Sequence, residues 1–275
     1  MKLLILAKLI AMSKFKPAYF VLIVLFCGII FQSWMPLAKT EREFYQLTVY
    51  HFKDASQEKT IDNYLQNALL PALHKISIKN IGVFKNRSND TLADKTMYVL
   101  TPIRSLEEIM KITSKLNADK DYQAAGAEYL SAVYTSAPYS RMETILLHAF
   151  SLAPALQLPK LGGARKDRIY ELRSYESATE KIFRNKVHMF NEGDEVGLFN
   201  RLNFNASFYG EVIAGGKMPN LMYMTCHENK TVRDANWKKF VDDPYWKKLS
   251  TMPEYQHNVS HIDISFLYPT EYSDY

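Results

Sequence analysis

The sequence predicts an α+β protein in which one structural unit occurs twice, preceded by an apolar N-terminal helix. Similar residues recur 125 positions apart in the two halves, and each half predicts the order strand, helix, strand, strand, helix, strand. That order is typical of the ferredoxin-like fold, an antiparallel sheet with both helices on one face. A chain of 275 residues is long enough for two such units, each with its own core.

Residues 1–40 are expected to export the chain or to anchor it in a membrane. No residue from Pro17 to Ala38 is charged, and four lysines precede this stretch. Such an arrangement is typical of a signal peptide, and the stretch also has the ~20 residues that a transmembrane helix needs. Pro36 disfavours cleavage after Ala38. We therefore expect an exported protein, periplasmic or extracytoplasmic, with cleavage and membrane anchoring both left open.

The charge of the chain excludes one class of partner. The formal net charge is +5, from 34 basic and 29 acidic residues. Without the four N-terminal lysines, the rest of the chain has 30 basic and 29 acidic residues, so it is nearly neutral. Because a nearly neutral body has no electrostatic footprint for nucleic acid, we expect no nucleic-acid partner.

Local sequence patterns predict the secondary structure of the first repeat, residues 41–150. Period-two alternation predicts strands, and apolar residues at positions i, i+3, i+4 and i+7 predict helices. The predicted elements are a strand at Phe44–Phe52, a helix around Ile61–Leu69, strands at Ile76–Lys85 and Thr96–Pro102, a helix from Ser105 through Leu116, and a strand at Met142–Phe150. Residues 151–167 contain two prolines and two glycines and are predicted to be a linker.

The second repeat, residues 168–275, shows the same order. The predicted elements are strand Ile169–Tyr175, helix Thr179–Phe190, strands Phe204–Ile213 and Asn220–His227, a helix capped by Thr231, and strand Val259–Leu267. The constant offset aligns Phe84 with Tyr209 and Tyr98 with Tyr223. The first repeat lacks polar residues of the second, since Thr48 stands where the second repeat has Arg173. Any chemistry is therefore expected in the second repeat.

The sheet face opposite the helices is predicted to carry the functional groups. Because alternate residues of a strand share a face, placing Ile262, Ile264 and Phe266 against the helices puts the residues between them on the opposite face. The same parity, applied to the other strands, gives the candidate ligand-binding residues Arg173, Glu171, Tyr209, Glu211, Tyr223, His227, His261 and Asp263. Either the two sheets face each other and close a pseudo-twofold barrel around a ligand cavity, or this face is solvated or packed without a ligand.

Four motifs of the second repeat resemble a known family when taken together. They are Tyr170-Glu171-Leu172-Arg173-x-Tyr175, Gly210-Glu211, Pro219-Asn220-x-x-Tyr223 and Trp237-x-x-Phe240-x-x-Asp243-Pro244-x-Trp246. In this order and spacing they resemble the NIPSNAP domain, across all of the second repeat and more faintly in the first. The resemblance implies the dimeric α/β-barrel fold. With its N-terminal segment, the chain looks like the exported bacterial members of this family. It implies no established reaction.

For several individual residues the sequence leaves both a functional and a structural interpretation open. Arg173 either binds an anion or only pairs with Glu171. His227, His261 and Asp263 either transfer protons or belong to a solvated sheet. Trp237 is read as helix packing. The sequence offers no metal cluster or phosphate-binding glycine loop, so we expect no cofactor and no metal.

The sequence thus favours an exported NIPSNAP-like protein that binds a small organic ligand or a partner through the second repeat. The alternative is a cofactor-free barrel enzyme, a monooxygenase, isomerase or decarboxylase acting on an aromatic or carboxylated substrate. Its working groups would be Tyr223, His227, Arg173 and Glu211. A structural protein of the membrane surface is a third interpretation. Whether the chain is an enzyme, and whether it forms a homo-oligomer, is left open.

Overall fold

A computed structural model describes residues 41–275 of the chain. The predicted export segment or membrane anchor at residues 1–40, with its apolar helix, lies outside the described residues. Between residues 41 and 275, no helix has the length and apolar character needed to span a membrane.

In this part of the chain eight strands form one closed antiparallel barrel, in the order β1-β3-β2-β8-β5-β7-β6-β4. The strands are β1 (Phe44–Phe52), β2 (Gly82–Asn86), β3 (Lys95–Ile103), β4 (Arg141–Ala149), β5 (Ile169–Glu176), β6 (Phe208–Ala214), β7 (Asn220–His227) and β8 (His261–Pro269). Each repeat supplies four neighbouring strands, and the repeats join where β2 pairs with β8 and β4 with β6. The predicted α+β class and closed barrel are confirmed.

Helices cover the outer side of each half of the barrel. In the first repeat they are α1 (Ala55–Tyr64), which continues through a π-helical turn at Leu65–Leu69 into α2 (Leu70–Lys75), then α3 (Leu106–Ala118), α4 (Lys120–Ala125) and α5 (Ala127–Leu130). In the second repeat they are α6 (Glu180–Asn191), α7 (Glu195–Arg201), α8 (Lys230–Asp242) and α9 (Pro244–Leu249). Asn229 caps α8 by accepting a hydrogen bond from the amide of Val232, 3.0 Å away. The prediction of Thr231 as the cap is wrong.

Two predicted strands begin later than expected because left-handed residues precede them. Ser77 and Asn80 have φ angles of 70° and 60°, so β2 starts at Gly82 rather than Ile76. Asn203 and Asn205 have φ angles of 58° and 46°, so β6 starts at Phe208. A strand cannot continue through such a backbone conformation.

The barrel interior is a packed apolar core. Large side chains from both repeats fill it, including Tyr45, Leu47, Phe84, Leu147, Tyr170, Leu172, Met224, Leu267 and Tyr275. Two further cores lie outside the barrel, one between each repeat's strands and its helices. Burial of these three cores supplies the main driving force for the fold.

The register between β5 and β8 corrects the predicted faces. Arg173 lies opposite Ile264, and Glu171 lies opposite Phe266. Residues opposite each other in a ladder point to the same side, so Glu171 and Arg173 face the helices together with Ile264 and Phe266. The prediction for β8 was right, but its transfer to β5, β6 and β7 was wrong. Tyr209, Glu211, Tyr223 and His227 also lie on the outer side, whereas His261 and Asp263 face the barrel interior.

The repeat itself is present, but its constant offset holds only at the first strand of each copy. Thr48 pairs with Val99 as Arg173 pairs with Tyr223, so Val99 rather than Tyr98 is the counterpart of Tyr223. By the same comparison Val83 rather than Phe84 is the counterpart of Tyr209. A slip of one residue moves a side chain to the other face of a strand.

Candidate functional site

A cleft of about 460 Å³ lies between the outer face of the second repeat's strands and its helices. Strands β5 and β7 form its floor, and α6 and α8 form its walls. The lining combines charged groups with large aromatic ones: Arg173, Tyr175, Lys186, Glu195, Tyr223, Arg233, Trp237, Phe240 and Trp246. Aromatic walls with a few charged groups are typical of sites for small organic molecules.

Glu171 organises one wall of the cleft. Its carboxylate is fully buried and accepts hydrogen bonds from Nε and Nη2 of Arg233 at 2.6 and 2.7 Å. The indole Nε1 of Trp237 donates to the same carboxylate at 2.8 Å. These bonds fix the guanidinium and the indole ring in position, because bidentate charged pairs constrain both distance and plane. Glu171 is thus a positioning residue.

Arg173 lies beside this network and is less completely paired. Its guanidinium carbon is 4.3 Å from the ring centroid of Trp237, a cation–π contact, and its Nη1 is 3.6 Å from Glu171 Oε1. Its Nε is buried and has no hydrogen-bond partner among residues 41–275. An unpaired buried donor is costly, and the charge of Arg173 is only partly balanced by Glu171, 3.6 Å away.

A second buried ion pair closes the opposite wall. Lys186 Nζ lies 2.9 Å from Glu195 Oε2, and both side chains are almost fully buried. Lys186 also lies 4.7 Å from the ring centroid of Phe190. The pair is satisfied within itself, so it contributes polarity to the cleft without excess charge.

The formal charges of the cleft leave an excess of one positive charge. Three cations, Arg173, Lys186 and Arg233, stand against two carboxylates, Glu171 and Glu195. On the solvent side Asp234 also contacts Arg233, but Asp234 is itself paired with Lys230 at 2.6 Å. The excess charge belongs to Arg173, the cation without a full partner.

Two tyrosine hydroxyls form the floor. The hydroxyls of Tyr175 and Tyr223 are 2.8 Å apart, and both residues are buried. Burial raises the pKa of Tyr175 to about 12 and that of Tyr223 well above its ordinary value. Both phenols therefore keep their protons at neutral pH. One of them donates to the other, which leaves one phenol proton free to be donated.

The second repeat matches a known protein family. The NIPSNAP family model matches residues 170–274. The chain carries a NIPSNAP domain. A NIPSNAP family protein from Agrobacterium tumefaciens str. C58 is 19% identical, and the match covers 38% of this chain and 96% of that one with a TM-score of 0.34. No curated protein matches the chain.

Two solved structures resemble the whole barrel. A candidate monooxygenase from Lactobacillus acidophilus NCFM is 12% identical with a TM-score of 0.56, and the match covers 83% of this chain and 94% of that one. Another candidate monooxygenase, from Fusobacterium nucleatum, is 7% identical with a TM-score of 0.55, covering 84% and 93%. At such identities the likeness shows a shared fold only.

The NIPSNAP domain brings together some of the predicted site residues. Arg173 and Tyr223 line the cleft, and Glu171 contacts Arg173 behind the lining; all three lie on the helix side rather than in the barrel interior. Tyr209 stacks behind Tyr223 at 5.7 Å, within the aromatic core. Glu211 lies outside the cleft and accepts a hydrogen bond from Arg42 at 2.6 Å.

Three predicted residues lie elsewhere. His227 is buried beside Thr225 and Asn236, and burial lowers its pKa to about 4. His261 and Asp263 lie at the mouth of the barrel, where their side chains are 3.2 Å apart. Glu176, His261 and Asp263 each bring one ligand-type atom within 4.8 Å of the others. Lys217 already contacts Asp263 at 2.5 Å, so we propose no metal there.

Several residues that line the NIPSNAP cleft were not identified as site residues from the sequence. Lys186 and Glu195 are charged residues on helices whose other inward positions are apolar, a pattern that signals a buried pair. Arg233 and Trp237 are four residues apart on α8, which places them on the same face. The packing role predicted for Trp237 is real, but its indole also holds Glu171.

The first repeat has a corresponding cleft of about 230 Å³ outside the NIPSNAP domain. Gln46 and Thr48 take the places of Glu171 and Arg173 on the first strand. None of the described residues that line this cleft is charged. The two repeats therefore share a fold and differ in the chemistry of their clefts.

Proposed function

We propose that the cleft of the NIPSNAP domain binds a small organic anion with one acid group and an aromatic or apolar body. The observation that carries the proposal is the buried Nε of Arg173, which has no partner among the described residues and belongs to the one cation in excess. A ligand carboxylate would accept from this donor and neutralise the charge.

The rest of the cleft suits the body of such a ligand. Trp237, Phe240 and Trp246 offer aromatic surfaces, with ring centroids of Phe240 and Trp246 4.4 Å apart. The cleft volume of about 460 Å³ lies within the range of sites for small molecules. The one phenol proton that the bond between Tyr175 and Tyr223 leaves free would serve a second acceptor on the ligand.

Isothermal titration with 2-naphthoate and its neutral amide, 2-naphthamide, tests the proposal. We expect the wild-type protein to bind the acid and to bind the amide at least about tenfold more weakly, because a hydrogen bond to a charged group contributes ~1.5–3 kcal/mol. Arg173→Gln should remove this preference. The matched control is Arg104→Gln, which removes an exposed guanidinium elsewhere. Equal affinity for acid and amide, or a preference that survives Arg173→Gln, contradicts the proposal.

Oxidation of the bound ligand is a second candidate function. It is supported by the paired phenols beside Arg173 and by the fold shared with two candidate monooxygenases. Incubation in air with an aromatic acid that carries an activated CH₂ group, followed by mass spectrometry of the small molecules, tests it. Conversion of CH₂ to C=O with release of water uses both atoms of O₂, so the substrate itself is the reductant. A product that gains oxygen and is lost in Tyr223→Phe supports turnover; no product at protein-equivalent concentrations argues for binding alone.

We also propose that residues 1–40 export the protein or anchor it in a membrane, on the basis of their basic flank and uncharged run. Fractionation of the source cells, with an intact mass of the protein, distinguishes the outcomes. A shortened soluble exported form indicates cleavage, and a full-length membrane form indicates an anchor. A full-length chain in the soluble cytoplasmic fraction contradicts the proposal.

A further inference from the structure

A separate cavity of about 310 Å³ opens at one mouth of the barrel, on the inner side of the strands. Residues of both repeats line it, which distinguishes it from the cleft of the NIPSNAP domain. Its volume is at the lower end of the range of ligand sites, so an occupant would be small.

The rim of the mouth is polar but neutral. Arg141 pairs with Glu143 on the side of the first repeat, and Lys217 pairs with Asp263 at 2.5 Å on the side of the second. The two cations and the two carboxylates that line the mouth balance each other. His51 also lines it and contacts Asp94, a residue outside the lining, at 2.9 Å. Such a rim offers many hydrogen-bond donors and acceptors and no excess charge for an ion.

Deeper in the cavity one polar group lacks a partner. Asn220 is 2% exposed and lines the cavity, and its Nδ2 donates to Ser174 Oγ at 2.5 Å. Its Oδ1 has no hydrogen-bond partner among residues 41–275. Since Ser174 Oγ accepts from Asn220, its own hydroxyl proton can be donated. An acceptor and a donor thus lie side by side inside the mouth, which matches the two functions of a hydroxyl group.

The remaining walls are apolar. Leu172, Val212 and Met222 line one part of the cavity, and Tyr98 offers an aromatic ring. Apolar walls beneath a polar rim suit a molecule with carbon–hydrogen faces and hydroxyl edges. We propose that the barrel mouth is a second binding site, for a neutral polyhydroxylated molecule of the size of a monosaccharide.

Binding of D-glucose, followed by saturation-transfer NMR and titration, tests this site. Gly216 lines the mouth, and a β-carbon added there meets nothing within 4 Å, so Gly216→Phe should fold and obstruct the cavity. Gly162 is equally unhindered and lies in the linker, so Gly162→Phe is the matched control. We expect wild type and the control to bind D-glucose, and Gly216→Phe to bind it about tenfold more weakly or not at all.

Charged analogues sharpen the test. D-gluconate and D-glucosamine carry a negative and a positive charge, and a charge-balanced rim should bind both more weakly than D-glucose. Three results overturn the inference: no binding of D-glucose to wild type, binding that Gly216→Phe leaves unchanged, or tighter binding of either charged analogue. Binding of 2-naphthoate should be the same in Gly216→Phe and wild type, which keeps this site distinct from the cleft.

Discussion

Glu171 and its partners show how single residues of this domain depend on each other. A fully buried carboxylate is tolerated because Arg233 and Trp237 donate three hydrogen bonds to it and Arg173 lies nearby. The same contacts hold the aromatic ring on which Arg173 lies. Arg173, the proposed binding group, and the residues that support it therefore belong to one network, so a change at Glu171 should affect both stability and binding.

Replacing Glu171 with glutamine should destabilise the protein by ~3–5 kcal/mol, because it leaves buried guanidinium groups without their counter-charge. The free energy of unfolding in urea measures the loss. The control is Asp242→Asn, which breaks an exposed pair with Lys238 and should leave stability unchanged. A small change in the free energy of unfolding in Glu171→Gln would show that water, rather than this carboxylate, compensates the positive charge of the arginines.

His227 should make stability depend on pH. Its pKa is about 4 in the folded protein, because burial disfavours the charged imidazole, and 6.5 is the ordinary value. Between these values the unfolded chain takes up a proton that the folded chain does not, so stability is lost as pH falls from 6.5 towards 4. We expect His227→Gln to reduce the loss between pH 7 and pH 5 by ~2 kcal/mol.

Urea unfolding at the two pH values measures this difference. Thr231→Ala, which changes an exposed side chain that does not titrate, is the control and should leave the pH dependence as it is in wild type. A wild-type slope that persists in His227→Gln would assign the pH dependence to other groups.

At the scale of elements, the sequence predicted where most strands lie but failed on which way β5, β6 and β7 face. The ends of β1 and β7 match the predicted ranges, since alternation and turn residues are local signals. The faces depend on register, which is set by pairing between strands distant in sequence. Arg173 lies opposite Ile264, 91 positions later in the chain, and no local pattern contains that information.

The cap of α8 offers a test at this scale. Asn229→Ala should cost ~1 kcal/mol, because the amide of Val232 loses its side-chain acceptor. Thr231→Ala, at the second residue of the helix and exposed, should cost little. Thermal unfolding of both variants measures the stability that each loses. A larger loss for Thr231→Ala would show that Thr231, as predicted from the sequence, caps the helix.

At the scale of the whole molecule, the repeat makes a barrel with no free sheet edge in the described chain. The β2–β8 and β4–β6 pairings close it, and at the second of these Gly210 allows close approach, since a β-carbon there would lie 2.9 Å from that of Leu147. The repeat was predictable from the order of elements and from the residues that recur in the first strand of each copy. The charged cleft was not, because Lys186, Glu195 and Arg233 come from three different helices and meet only in the folded chain.

The second repeat alone, residues 168–275, should not persist as a monomer. Without the first repeat, β6 and β8 become open edges, and exposed edges pair with other chains. We expect the fragment to form a dimer that rebuilds an eight-stranded barrel, or to aggregate, as measured by light scattering. The full chain, with both pairings intact, should unfold in a single transition. A stable folded monomer of the fragment would contradict this view of the barrel.

The central claim is that the excess positive charge at Arg173 receives the acid group of a ligand, and its position can be measured directly. A crystal of the protein soaked with 6-bromo-2-naphthoate would locate the bromine by anomalous scattering and the carboxylate by electron density. We predict a carboxylate oxygen about 3 Å from Arg173 Nε, with the ring system against Trp237 or Trp246. A bromine in the barrel mouth or in the cleft of the first repeat, with the Arg173 cleft empty in a saturated crystal, would contradict the claim.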